Sequence, residues 1–229
     1  MFLEILIISI FAGLVSIDIR TIGGTMISRP LVVSPLIGFF LGDLKIGFLI
    51  ATFLELIWIG LLPVGAYLPV ETLPIAVVAT SLSIIFSGKI SENVPGIIVF
   101  CMIIAIPLGF IGRWLEYHIR TFNSYLSSKV VLKAEKGDIT MVSYVQYLNI
   151  LISFIKGFLL CFIPVFFGKG ILMNIYQSLP NQIKQGIFFS SWLVLALGFA
   201  VVIEIFILNK YIRYFFISFI AFALLLIVI

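Results

Sequence analysis

Arg29-Pro30-Leu31, then Pro35-Leu36-Ile37-Gly38-Phe39-Phe40-Leu41-Gly42-Asp43-Leu44-Lys45, an apolar run holding Glu55, Pro63-Val64-Gly65, Pro69-Val70-Glu71 and Pro74: this stretch decides the fold. Proline and glycine interrupt helices, and here they interrupt segments apolar enough to lie at bilayer depth. Ionisable side chains sit between the breaks. Charge and unpaired backbone are both costly in hydrocarbon, so both are expected to face a wet cavity or buried protein. Interrupted helices around such groups are the sequence mark of a binding site inside a membrane bundle.

The remainder of the chain agrees. Of its 229 residues 62% are hydrophobic and only 10% charged, with a mean hydropathy of +1.29; a soluble domain carries roughly 25% charged residues. The size suits one membrane-embedded domain over residues 1–229, with no separate soluble catalytic domain. Cys101 and Cys161 lie in apolar runs and read as small core residues without a disulfide. His118 is the only histidine, so zinc or non-haem iron chemistry is not expected. No nucleotide-binding loop, Ser/His/Asp set or metal cluster is legible, and neither a cofactor nor a nucleic-acid partner is expected. Glu4 stands where a signal peptide would be basic, so the first apolar run is read as a retained membrane segment.

A crossing helix needs roughly 20 apolar residues. Segments Phe2–Ile17, 46–62, 94–111, 145–167, 187–208 and 211–229 are the candidates, while 31–42 and 73–87 are too short to cross. The expected fold is an all-α polytopic membrane protein with about six transmembrane helices plus re-entrant or broken half-helices. Residues 113–144 gather Arg113, Arg120, Lys129, Lys133 and Lys136. The positive-inside rule makes that segment cytoplasmic. The helical spacing of Trp114, Leu115, Ile119, Phe122 and Leu126 predicts an amphipathic piece lying on the membrane or against a partner. A second polar interruption, 170–185, is flanked only by Lys169 and Lys184, which leaves it free to lie on the opposite side.

Glu55 is the sharpest candidate for chemistry. Its carboxylate, in Phe53-Leu54-Glu55-Leu56-Ile57-Trp58, has to be hydrated or paired. Sugar hydroxyls would satisfy it, with Trp58 one helical turn away as an aromatic plate. The competing reading makes Glu55 a structural partner of Lys45 or Arg29 that holds the hairpin shut; the direct role is preferred. Lys45 reads first as an interfacial lysine that snorkels, and second as a phosphate-facing gate with Asp43; for Asp43 both readings stand. Arg29 is suited equally to binding a phosphate or to pinning a carboxylate. Glu71 and Tyr67 either line the cavity reached by their loop or are ordinary loop residues. Lys156 and Glu204, each alone in an apolar run, are expected to pair across helices. His118 is read as plain surface.

The same stretch resembles the enzyme IIC subunit of the mannose/fructose/sorbose family of the bacterial sugar phosphotransferase system. The resemblance rests on Arg29-Pro30-Leu31, Leu36-Ile37-Gly38, Leu41-Gly42-Asp43-Leu44-Lys45-Ile46-Gly47, Leu54-Glu55-Leu56-Ile57, Ile59-Gly60, Val64-Gly65-Ala66 and Glu71, where the family usually has Asp. A weaker match is Ala134-Glu135-Lys136-Gly137-Asp138. The chain departs from the family at Ala51-Thr52-Phe53, which stands where Gly-Gly-Thr is usual, and in a shorter C-terminal run. The resemblance implies a translocation subunit of the bacterial inner membrane. It would pair with a homologous IID subunit, the pairs would form trimers, and soluble IIA and IIB phosphocarriers would supply the phosphoryl group. Glu55, Glu71, Trp58, Tyr67, Asp43, Lys45 and Arg29 are the substrate-binding set that follows, without a catalytic residue of the chain's own. Two other classes fit the size and composition: a substrate-capturing membrane subunit of an ATP-driven importer, and a non-transporting scaffold derived from the family.

Overall fold

The computed structural model describes residues 2–18, 25–58, 68–90, 93–135, 140–207, 214 and 217–218. Seven helices follow one another: α1 (Phe2–Ile17), α2 (Pro30–Leu41), α3 (Leu44–Trp58), α4 (Thr72–Ser87), α5 (Val94–Ala134), α6 (Thr140–Ser178) and α7 (Asn181–Ile207). The described residues contain no strand, in keeping with the expected all-α class. Three helices, α5, α6 and α7, are long and apolar enough to cross a membrane, with shorter apolar helices beside them. Most of the expected last span, 211–229, falls outside the described residues.

The two short segments behave as their lengths dictate. At 1.5 Å per residue α2 is about 18 Å long, well under the roughly 30 Å of a hydrocarbon core. Gly42, at φ +83°, a left-handed conformation that glycine adopts without strain, turns the chain back at once into α3. The helices of this hairpin touch backbone to backbone. A Cβ on Gly47 would stand 2.7 Å from the Ser34 carbonyl, and one on Gly38 only 2.8 Å from that of Asp43. Near the tip, the Phe40 ring packs edge-on against Phe11 of α1, part-way along that helix rather than at its end. The hairpin therefore folds back inside the bundle.

The other short helix, α4, is the centre of the molecule. Every residue from 73 to 84 is buried, as befits a helix apolar on all sides. Helices α2, α3, α5 and α6 surround it. Its small residues Thr80, Ser81 and Ser83 let these neighbours approach closely. On the flank, α1 lies along α6. Phe154, Phe158, Phe162 and Phe166 recur every four residues and stack as a ladder at interplanar angles of 10–16°. The first rung fits because Gly13 has no Cβ, and the last meets the edge of Phe2. Cys101 and Cys161 are free thiols in the core.

The polar segment does not form a separate piece. Arg113 to Ala134 continues α5 without interruption, so that α5 is about 60 Å long, twice a hydrocarbon core. Leu115 and Ile119, part of the apolar stripe, face Ile152 and Ile155 of α6 across a groove, whereas Trp114 and Phe122 stay exposed. This apolar stripe thus serves in part to hold the α5–α6 hairpin together beyond the apolar run. His118 lies edge-on to Trp114 and Tyr117.

Candidate functional site

The base of the α2–α3 hairpin is clasped by Glu55. Pro30 begins α2 and has no N–H, so Leu31 carries the first backbone donor that needs a partner. Arg29, the residue before the helix, is extended and gives no side-chain cap. Glu55 supplies both deficits across the hairpin: Oε2 accepts from the Leu31 N–H at 3.3 Å, and Oε1 from Arg29 Nη1 at 3.2 Å. Of the two sequence readings of Glu55, the one that pairs it with Arg29 describes these contacts. Asp43 does the same work at the tip, where Oδ1 accepts from the Ile46 N–H at 3.0 Å and caps α3. Lys45 is exposed in the first turn of α3. Trp58 ends α3 half-buried, its Nε1 enclosed and without an acceptor among the described residues. Tyr67 lies outside the described residues.

Glu71 belongs to a different cluster. Its N–H donates to the Gly109 carbonyl at 3.2 Å, which fixes the start of α4 against α5. Its carboxylate passes the bare face of Gly112, where a Cβ would stand 2.4 Å from Oε2. On the far side it meets Lys156 of α6, whose Nζ donates to both oxygens at 2.8 and 3.0 Å. The same ammonium donates to Glu116 Oε2 at 3.0 Å, and Glu116 Oε1 accepts from Arg120 at 3.3 Å. The Lys156 and Glu71 side chains are only 6% and 10% exposed. The enclosed part of the cluster is thus one ammonium shared by two carboxylates, with Arg120, 54% exposed, on the solvent side of Glu116; a charge left alone there would be strongly unfavourable.

Lys156 was expected to pair with Glu204. It pairs instead with Glu71 and Glu116, and Glu204 is exposed on α7. An isolated lysine in an apolar run signals a buried partner, but the partner is set by the register of α4 and α5 against α6, to which local spacing is blind. Gly109 and Gly112, three residues apart and so on one face of α5, were the legible sign that something approaches closely there. Glu55 and Glu71 are thus held in separate clusters, and no hydrogen bond or ion pair joins the two among the described residues.

A bundle of this kind, with an inward-folding hairpin and buried acids beside it, defines a polytopic membrane protein built around polar groups at helix breaks. The sequence matches the family described as "PTS system sorbose-specific iic component" over residues 2–229, and the chain belongs to that family. It is thus a member of the mannose class of phosphotransferase IIC components. It is 23% identical over 177 residues to the "PTS system mannose-specific EIIC component" of Escherichia coli K12, covering 77% of this chain and 64% of that one. Among solved structures it resembles one described as "Structure of membrane protein", with a TM-score of 0.70 and 24% identity. It also resembles the "Mannose Transporter ManYZ" in complex with microcin E492, with a TM-score of 0.55 and 21% identity. Each likeness covers 97% of this chain and 85% of the other, and shows the fold.

Proposed function

We propose that this chain is the translocation subunit of a mannose-class phosphotransferase in a bacterial cytoplasmic membrane. It passes a hexose-type sugar inward, coupled to phosphorylation by a soluble IIB partner that IIA recharges. A IID subunit completes the membrane part, in trimers of IIC–IID pairs set in lipid.

The observation that carries this reading is the pair of largely enclosed acids, Glu55 at the base of the α2–α3 hairpin and Glu71 at the start of α4. An ionised carboxylate has about four acceptor positions. Glu55 and Glu71 each accept one protein hydrogen bond per oxygen, which leaves capacity for sugar hydroxyls. Arg29 and Lys156 hold the two carboxylates in place, and Trp58 and Tyr67 are the aromatic residues assigned to the sugar ring. Asp43 and Lys45 serve the hairpin tip. The sugar hydroxyl then attacks the phosphohistidine of IIB in line at the cytoplasmic mouth, a step that calls for positioning more than for covalent help from this chain. The basic stretch 113–136, which extends α5, is the docking face for that acidic partner.

Vesicles containing this chain with IID, supplied with IIA and IIB, are expected to take up hexose when phosphoenolpyruvate is present. ATP-dependent uptake would select an importer subunit instead, and assembly without any uptake a scaffold.

A further inference from the structure

A polar cavity of about 360 Å³ opens at the other end of the bundle from the Lys156 cluster. Between Asn93 and Glu116 helix α5 rises about 35 Å at 1.5 Å per residue, and between Lys156 and Tyr176 α6 rises about 30 Å. Both figures match the roughly 30 Å of a hydrocarbon core. The acid cluster and this cavity therefore lie about one hydrocarbon thickness apart along α5 and α6.

Three elements build the cavity. Asn93, in the left-handed region at φ 61°, accepts from the Gly96 N–H at 3.3 Å and donates to the Lys184 carbonyl at 3.4 Å, which ties the start of α5 to α7. Asn181, Lys184 and Gln185 follow at i, i+3 and i+4 on one face of α7. Tyr176 forms the floor, its ring packed 5.0 Å from Phe100. The side-chain amides of Gln177, Asn181 and Gln185 make no hydrogen bond among the described residues. Among the described residues no carboxylate lines the space, and the one ammonium there, Lys184 Nζ, already donates to the Gln177 carbonyl at 2.9 Å.

This lining chooses its ligand. A phosphate would call for several cations or an arginine fork. Three exposed amides, each both donor and acceptor, suit a neutral molecule with neighbouring hydroxyls, while the buried Tyr176 ring, with Phe100 on it and Lys184 Nζ 5.7 Å above it, is the floor beneath them. The volume lies within the usual range for small-molecule sites. We infer that the Asn93–Tyr176–Gln185 cavity is a second carbohydrate site, on the outer face, that captures the neutral hexose before translocation. This rests on the sugar-transport reading above and adds to it a site on the opposite side from the acids.

The two native cysteines are buried, so Gln185→Cys, tested in the full IIC–IID complex, gives this chain a single reactive thiol for maleimide. D-mannose, D-fructose and N-acetyl-D-galactosamine are the probes. At about ten times its dissociation constant the captured sugar is expected to slow labelling roughly tenfold, since only the empty fraction reacts. Asn181→Leu is expected to raise the half-saturating concentration for uptake about fivefold, the cost of one lost hydrogen bond, with maximal rate unchanged. If Gln185→Cys does not assemble, Asn181→Cys serves in its place. Protection from labelling in a complex without phosphoenolpyruvate-driven uptake would keep this site and overturn the transport reading. Uptake with unprotected labelling by all three sugars and an unchanged half-saturation in Asn181→Leu would overturn this site and leave transport standing.

Discussion

The Arg29–Glu55 clasp and the Lys156 cluster use the same chemistry under different conditions. The clasp is one ion pair with side chains 23% and 18% exposed, and it joins two helices that are already neighbours in sequence. The Lys156 cluster is more deeply enclosed and joins helices far apart in the chain, with Glu71 and Lys156 separated by 85 positions. The first shapes a local hairpin; the second fixes how α4, α5 and α6 stand against one another. Loss of charge should therefore be felt locally in the first region and throughout the bundle in the second.

The largest effect is expected from Lys156→Met, which takes from Glu71 the cation it pairs with among the described residues and from Glu116 the enclosed ammonium, leaving it the exposed Arg120. A loss of about 3 kcal/mol is expected in detergent unfolding. Adding Glu71→Gln to that variant should restore part of it, because no orphan charge then remains beside α4. An unchanged stability in the single variant would put the two regions on an equal footing. Next is Gly112→Ala, whose methyl would meet Glu71 Oε2; about 1–3 kcal/mol is expected from overpacking, with thermal unfolding as the measure. Glu55→Gln keeps an acceptor for the Leu31 N–H but loses the charge facing Arg29, so about 1 kcal/mol is expected, together with raised protease sensitivity near the hairpin base. Asp43→Ala removes a helix cap and should cost about 1 kcal/mol. Lys45→Ala, at an exposed position, should stay within about 0.5 kcal/mol.

What the sequence disclosed follows the same division between local and distant. The bounds of α1, α2 and α4 were legible because apolar runs end at Gly, Pro or polar residues, which also end helices. The far end of α5 was not, since hydropathy marks where lipid stops rather than where a helix stops; Arg113 to Ala134 remains helical, with Leu115 and Ile119 facing α6. The clasp was legible as a choice between two readings of Glu55, because Arg29, Pro30 and Glu55 belong to one hairpin. The Lys156 cluster was not, although Lys156 and Glu71 were each conspicuous, because their meeting depends on which way α6 returns past α5.

The measurement that bears most directly on the sugar reading is uptake by the Glu71→Gln/Lys156→Met complex. That pair of changes removes both charges together, so the bundle can still pack and assemble with IID, IIA and IIB. The expected result is an assembled complex that no longer takes up hexose in the presence of phosphoenolpyruvate. An assembled complex with wild-type uptake would show that the buried acid serves only to hold helices together.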